Sequence, residues 1–172
     1  MKKNAWIFKL ILLTFIITII FSILSDLVLS NTGIIVGIIL ISIFIFLGVL
    51  FDMIGIAVAG ATDKSFHAMA SKTKNKSIQT AKILIKNSSK VSAICNDVIG
   101  DIFNILSGTA AVVIATNISK TNNFNHTITL LIITSLVAAL TIGGKAFGKD
   151  IAINNKDVII MKVSTIISKI KR

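Results

Sequence analysis

Two aspartates and two asparagines interrupt an apolar stretch in the middle of the chain, AICNDVIGDIFNIL at residues 93–106. Carboxylate and amide oxygens can coordinate a hard cation such as Mg²⁺, and polar side chains can also hold neighbouring helices together. Asp97, Asp101 and Asn104 fall at i, i+4 and i+7, which predicts one stripe of an α-helix, with Asn96 on the adjacent stripe. The chemistry open to them depends on the medium around them.

That medium is predicted to be a lipid bilayer. Hydrophobic residues make up 54% of the 172 residues, and several uncharged runs approach the roughly 20 residues that cross a bilayer. We predict an all-α, polytopic membrane protein that forms a single domain over residues 1–172. Its four transmembrane helices are expected at about 6–29, 32–60, 91–118 and 127–147. A signal peptide at the first run is less favoured, because its apolar region is long and no small-residue cleavage site follows.

Positive charge is distributed unevenly along the chain, whose formal net charge is +11. In a four-span arrangement 17 of the 18 basic residues fall on one side, Lys120 being the exception. Lysine and arginine accumulate in cytoplasmic loops, so both termini are predicted to lie in the cytoplasm, with the spans in the cell (inner) membrane. Nucleic acid is not an expected partner, because neither interleaved aromatic residues nor a nucleic-acid motif accompanies the charge.

Two basic segments on the predicted cytoplasmic side, 63–90 and 148–172, read as amphipathic helices. In the first segment the apolar residues at helical spacing are Ile78, Ala81, Leu84 and Ile85. In the second they are Ile159, Val163, Ile166, Ile167 and Ile170. Such helices can lie in the membrane interface, where lysines also meet anionic lipid. Alternatively, they pack on the protein's own cytoplasmic face.

The predicted depth of the polar residues in the bilayer limits what they can contact. With a rise of 1.5 Å per residue, Asp97 lies about 9 Å and Asp101 about 15 Å into the third span, and Asp52 lies about 12 Å from the cytoplasmic end of the second. A carboxylate at such depth costs at least a few kcal/mol, so it must face protein, water or an ion.

These residues predict an intramembrane site for Mg²⁺ or a related hard cation. The expected ligands are Asp52, Asn96, Asp97, Asp101 and the main-chain carbonyl of Gly144, which the glycine pair in GGKAFGKD (143–150) is expected to free. The alternative, about equally supported by spacing alone, is a structural network in which Lys145 pairs with an aspartate.

Three motifs resemble the transmembrane domain of the cyclin-M/CorB/CorC magnesium and cobalt transport family: LFDMIGIAVAGA (50–61), ICNDVIGDI (94–102) and GKAFGKDIA (144–152). The resemblance covers about residues 40–170, with the family-like membrane core at 32–147 and the first span as an addition. It places the family's motif serine at Asp52, its asparagine at Asn96 and its glycine at Gly144. It implies that these positions help to line a dehydrated magnesium site, that Mg²⁺ or Co²⁺ is transported, and that the protein is a homodimer.

Two departures from the family pattern bear on function. The family glutamate is Lys145 here and the family proline is Gly148, so a positive charge lies where the resemblance places a cation. The family's regulatory nucleotide-binding domains are not present in these residues, so nucleotide-coupled gating would be expected to need a separate regulatory subunit.

Two function classes therefore stay open: a transporter or binder of divalent cations, and a non-transporting membrane scaffold or regulatory subunit in which Lys145 occupies the cation site. An enzyme is not expected, because no Ser–His, paired-aspartate protease or metal–histidine motif is recognised. His67 and His126 fall on opposite sides of the membrane in the four-span arrangement.

Overall fold

The computed structural model describes residues 2–62 and 76–170, and the regular secondary structure in them is entirely helical. The helices are α1 (Lys2–Asn31), α2 (Ile34–Gly60), α3 (Lys76–Lys86), α4 (Ser88–Ala93), α5 (Asp101–Asn122), α6 (His126–Asn154) and α7 (Lys156–Ile170). A π-helical segment, Ile94–Gly100, joins α4 to α5 and is called the π-turn below. The all-α prediction is confirmed. Residues 63–75, which include His67 and the first half of the predicted cytoplasmic pair, lie outside the described residues.

Four helical stretches are long and apolar enough to cross a membrane: Trp6–Leu29, Ile34–Gly60, Ser88–Asn122 and His126–Asn154. The length and composition of these helices confirm the prediction of a multi-pass membrane protein. The fourth helix is longer than predicted. It does not end near residue 147, because the glycine pair does not break it. Glycine inside a helix costs only about 1 kcal/mol relative to alanine, which the neighbouring helix-forming residues can offset.

Hydroxyl groups within the spans bond to the main chain of their own helices. Thr14 Oγ1 donates to the Leu10 carbonyl at 2.8 Å, and Thr141 Oγ1 donates to the Val137 carbonyl at 2.8 Å. Each bond spans four residues, so these hydroxyls need no water and no partner helix.

The chain divides into two compact units. Unit 1 comprises Met1–Val49 and Gly100–Gly144, and in it α1 packs along α5. Its buried core consists of Leu29, Ile41, Ala110, Ala111, Ile114 and Val137. The Phe103 ring contacts those of Phe21 and Phe44, with centroids 6.2 and 6.1 Å away. Alanines on α5 let large side chains from the neighbouring helices approach its backbone closely.

Unit 2 comprises Leu50–Ile99 and Lys145–Arg172, and in its described part α3 packs along α7. Its buried core consists of Ala57, Val58, Ala81, Ile85, Ala152 and Ile160. Ser77 Oγ and Ser168 Oγ lie 3.2 Å apart in the same helix pair. Packing on the protein itself, one of the two placements considered, is thus found for the apolar face of α3. On α7 it holds only in part, because Ile166 and Ile170, which belong to the predicted apolar face, are 59% and 80% exposed.

The third span, Ser88–Asn122, is the most enclosed of the four. Half of its most apolar window is buried, against none of the window in the first span and 6% in the fourth. The first and fourth spans therefore offer most of their apolar surface to lipid, and the third packs mainly against protein.

Replacing Leu106 with alanine tests this packing. Leu106 is fully buried, whereas the adjacent Ile105 is 48% exposed. We expect Leu106→Ala to lower the free energy of unfolding in detergent by about 1–3 kcal/mol. This loss is near the low end of those measured when a core residue of a soluble protein is truncated. In lipid-like surroundings the contribution from transfer out of water is absent. Ile105→Ala is the matched control and should change it by less than about 0.5 kcal/mol. Equal losses in the two variants would contradict the assignment of the buried face.

Candidate functional site

A charged pair lies within unit 2 at the predicted site. α2 carries Asp52 and α6 carries Lys145, whose Nζ is 4.0 Å from Asp52 Oδ1. The side chains of Lys145 and Asp52 are 27% and 16% exposed. The structure thus brings together two of the residues singled out in the sequence, one acidic and one basic.

The partial exposure of the pair constrains its surroundings. Both charges lie on helices long and apolar enough to span the membrane, where charged groups face protein or a water-filled cavity and not lipid. The exposed part of each side chain must therefore meet water or another protein surface. A separation of 4.0 Å is also at the outer limit of a contact ion pair.

Asn96, in the π-turn of unit 2, presses its amide against α2. A Cβ atom added at Gly55 would collide with Asn96 Oδ1. That oxygen is buried and has no hydrogen-bond partner among the described residues, while Nδ2 reaches Ser92 Oγ at 3.5 Å. The glycine Cα–H groups supply a weak donor to a carbonyl oxygen in this position. Asn96 therefore acts here as a packing residue, and its oxygen would have to turn away from Gly55 to bind a metal.

Asn104 repeats this arrangement within unit 1. Its Oδ1 lies 2.9 Å from the position that a Cβ of Gly48 would occupy, and it too lacks a hydrogen-bond partner in the described part of the chain. Its Nδ2 donates to Asp101 Oδ1 at 3.2 Å. Each asparagine thus uses its amide donor on its own helix and places its carbonyl oxygen against a glycine of α2.

The π-turn explains how both asparagines meet glycines. Gly48 and Gly55 are seven residues apart, which is two turns of α-helix. Asn96 and Asn104 are eight apart, which in a regular α-helix would leave them about 80° away from a common face. A π-turn closes its hydrogen bonds one residue later and so absorbs the extra residue. The predicted α-helical stripe is therefore confirmed for Asp101 and Asn104, which lie in α5. It is wrong for Asp97, which lies in the π-turn.

The remaining predicted ligands are divided between the two units. Asp97 belongs to unit 2 and Asp101 to unit 1, and both are exposed on the surface of the chain. In residues 2–62 and 76–170, no three His, Cys, Asp or Glu side chains form a group that could hold a metal ion. A cation site would therefore need amide, carbonyl or water oxygens to complete its shell.

Gly144 lies inside α6, in unit 1. Because the helix continues to Asn154, the Gly144 carbonyl lies in the regular hydrogen-bonding pattern and is not freed as predicted. A Cβ at Gly144 would lie 3.0 Å from Val49 Cγ2. The glycine instead allows α2 and α6 to approach closely at this point.

A serine–histidine contact, unrecognised in the sequence, joins α5 to α6 in unit 1. Ser119 Oγ donates to the Thr116 carbonyl at 2.9 Å and lies 3.1 Å from His126 Nδ1. The contact between the hydroxyl and the imidazole links the two helices within unit 1. Ser119 and His126 are seven residues apart, with a turn at Asn123 between them. That spacing matches no catalytic motif, so the sequence did not indicate the contact.

Comparison with protein-family models, with curated proteins and with solved structures finds no match to this chain. The resemblance to the magnesium and cobalt transporters therefore rests on the three quoted motifs. The geometry of the charged pair and of the two asparagines is consequently what bears on function.

Introducing a side chain at Gly55 tests the asparagine contact. Gly55→Ala would force the Asn96 amide or the helix to move, so we expect a loss of about 1–3 kcal/mol in the free energy of unfolding. Asn96→Ala in the same chain should recover much of that loss, because it removes the colliding group. Gly108→Ala is the control, since nothing lies within 4 Å of a Cβ there. A Gly55→Ala variant as stable as the control would contradict the contact.

Proposed function

We propose that the protein binds and moves a divalent cation, Mg²⁺ or Co²⁺, at the Asp52 carboxylate, as a multi-pass protein of the inner membrane with both termini in the cytoplasm. The observation that carries this proposal is the partly exposed pair of Asp52 and Lys145, 4.0 Å apart. In this proposal the Lys145 ammonium group is a tethered cation that neutralises the carboxylate when the metal is absent.

The chemistry of the pair supports exchange with a metal. An ionisable residue in a membrane helix commonly marks an ion path, and its charge must be matched at every stage. A divalent ion entering beside Asp52 repels Lys145, whose long side chain can swing toward the exposed side. Asp97, and Asn96 after it turns from Gly55, would add oxygen ligands within unit 2. Asp101, expected from the sequence as a deeper ligand or proton carrier, belongs to unit 1 and is not included in the proposed site. A second copy of the chain or a regulatory subunit could cover the exposed aspartates.

The second candidate is a non-transporting membrane scaffold or regulatory subunit. The same ion pair favours it, because Lys145 already supplies the positive charge that Asp52 requires. The helical position of the Gly144 carbonyl and the lack of a three-residue acidic group in the described residues support it further. The two candidates differ in one respect, namely whether a metal ion can displace Lys145.

Calorimetric titration of the purified protein with Mg²⁺ and with Co²⁺ separates these candidates. For a working site, we expect wild-type binding that Asp52→Asn weakens by roughly tenfold or more, and that Lys145→Met tightens by a similar factor because the competing cation is gone. Asp150→Asn is the control, since that exposed carboxylate lies further along α6 and should not affect the affinity.

Two other outcomes of the titration have defined meanings, and one further measurement follows. Binding that appears only in Lys145→Met would show that the site is occupied by its own lysine, and the scaffold function would follow. Binding that Asp52→Asn leaves unchanged would contradict the site itself. Where wild type binds, metal uptake into vesicles containing an indicator dye separates a transporter from a binder.

A further inference from the structure

The outward faces of α3 and α7 carry a mixture of isoleucine and lysine that their packing in unit 2 does not use. Their inward faces are already occupied, since Ile78, Ala81 and Ile85 of α3 and Ile160 of α7 are buried. The inward faces of the two helices are therefore occupied by the protein core, although Ile166 and Ile170 of α7 remain 59% and 80% exposed. Any contact with lipid must be made by the opposite sides of the two helices.

On α3, Lys76, Ile83 and Lys86 follow at i, i+7 and i+10, which is one stripe of a helix. All three are exposed, and Ile83 is 59% exposed. On α7, Val158, Lys162, Ile166 and Lys169 follow at i, i+4, i+8 and i+11 and are likewise exposed, Ile166 to 59%. We call these two sets the outward stripes: Lys76, Ile83 and Lys86 on α3, and Val158, Lys162, Ile166 and Lys169 on α7.

The composition of the stripes identifies the kind of partner. The two helices contain six lysines, one aspartate and no aromatic residue. A nucleic-acid surface would offer aromatic side chains for stacking, and an acidic protein partner would not require alternating isoleucine. Aliphatic side chains between lysines match a membrane surface, where the apolar groups enter the headgroup region and the ammonium groups meet anionic phosphates.

The chain also places both helices beside the membrane. Asn87 alone separates α3 from the third span, and Asn155 alone separates α7 from the fourth. Each helix is therefore joined directly to a candidate membrane span. Both lie in the lysine-rich part of the chain, which the charge distribution assigns to the cytoplasmic side.

We infer that the outward stripes of α3 and α7 form a docking surface for the headgroups of anionic phospholipids. The inference is independent of metal binding at Asp52. It differs from ordinary amphipathic insertion, because the lysine-bearing faces and not the apolar core faces contact the lipid.

Fluorescence in lipid nanodiscs tests the inference on the full chain. Cys95→Ala removes the native thiol, and Ile166→Cys carries a polarity-sensitive dye. Nanodiscs of zwitterionic lipid are compared with nanodiscs in which roughly one-third of the lipid is phosphatidylglycerol, enough to give an attractive surface potential. Both leaflets are identical, so orientation does not matter. We expect blue-shifted emission and weaker quenching by an aqueous quencher in the anionic discs.

Charge variants make the test specific. Adding Lys162→Gln and Lys169→Gln should abolish the shift, whereas Lys120→Gln, which lies in the last turn of α5, should preserve it. Raising the salt to about 0.5 M should also reduce the shift through screening. The same dye at Ile83→Cys provides a second reporter on α3, with Lys76→Gln and Lys86→Gln as its charge variants.

A label-free measurement covers the case in which the cysteine variants do not fold. Wild-type protein purified from mixed lipid should retain more phosphatidylglycerol than the Lys162→Gln, Lys169→Gln variant. Equal emission in the two kinds of nanodisc, a shift that survives the loss of both lysines, or equal lipid retention would overturn the inference.

Discussion

The charge of Asp52 inside a membrane helix is the constraint on which the rest of the account depends. At 4.0 Å from Lys145, the gross attraction between unit charges is about 4 kcal/mol for an effective dielectric constant of about 20. The cost of inserting a carboxylate is of similar order, at least a few kcal/mol. The two terms nearly cancel, so the pair adds little net stability while it fixes which charged residues must meet. A balance of this kind suits a site where one cation replaces another.

The close approach of α2 depends on glycine at particular positions. Gly55 in unit 2 and Gly48 in unit 1 each accept the amide of an asparagine where any side chain would collide or crowd it. Without a hydrophobic driving force between helices in lipid, such small-residue contacts and polar groups supply much of the association energy. The π-turn brings the second asparagine into register at the cost of regular hydrogen bonding, and it places Asp97 in the same irregular segment. Irregular turns of this type are frequent at functional sites.

Composition and charge were sufficient to predict the all-α, multi-pass class, because uncharged runs of bilayer length admit few alternatives. They also indicated Lys145 as the partner of an aspartate, but left both Asp52 and Asp97 open. They did not predict the π-turn, because the spacing of the polar residues was taken to follow a regular α-helix. For Gly144 the expectation of a freed carbonyl is wrong, because α6 continues to Asn154. Its contact with Val49 fits the other role of a glycine pair, which is to let another helix come close. The sequence also could not show whether lipid or protein covers the apolar faces of α3 and α7. That depends on which residues form the neighbouring core.

The most direct measurement is a charge exchange between the two members of the pair. Asp52→Lys and Lys145→Asp should each lower the free energy of unfolding in detergent by about 1–3 kcal/mol, because each leaves like charges together in a poorly hydrated place. The double variant should return to within about 1 kcal/mol of wild type, since residues in contact do not behave additively. A double variant whose loss equals the sum of the two single losses would contradict the pairing of Asp52 with Lys145, and with it the proposed cation site.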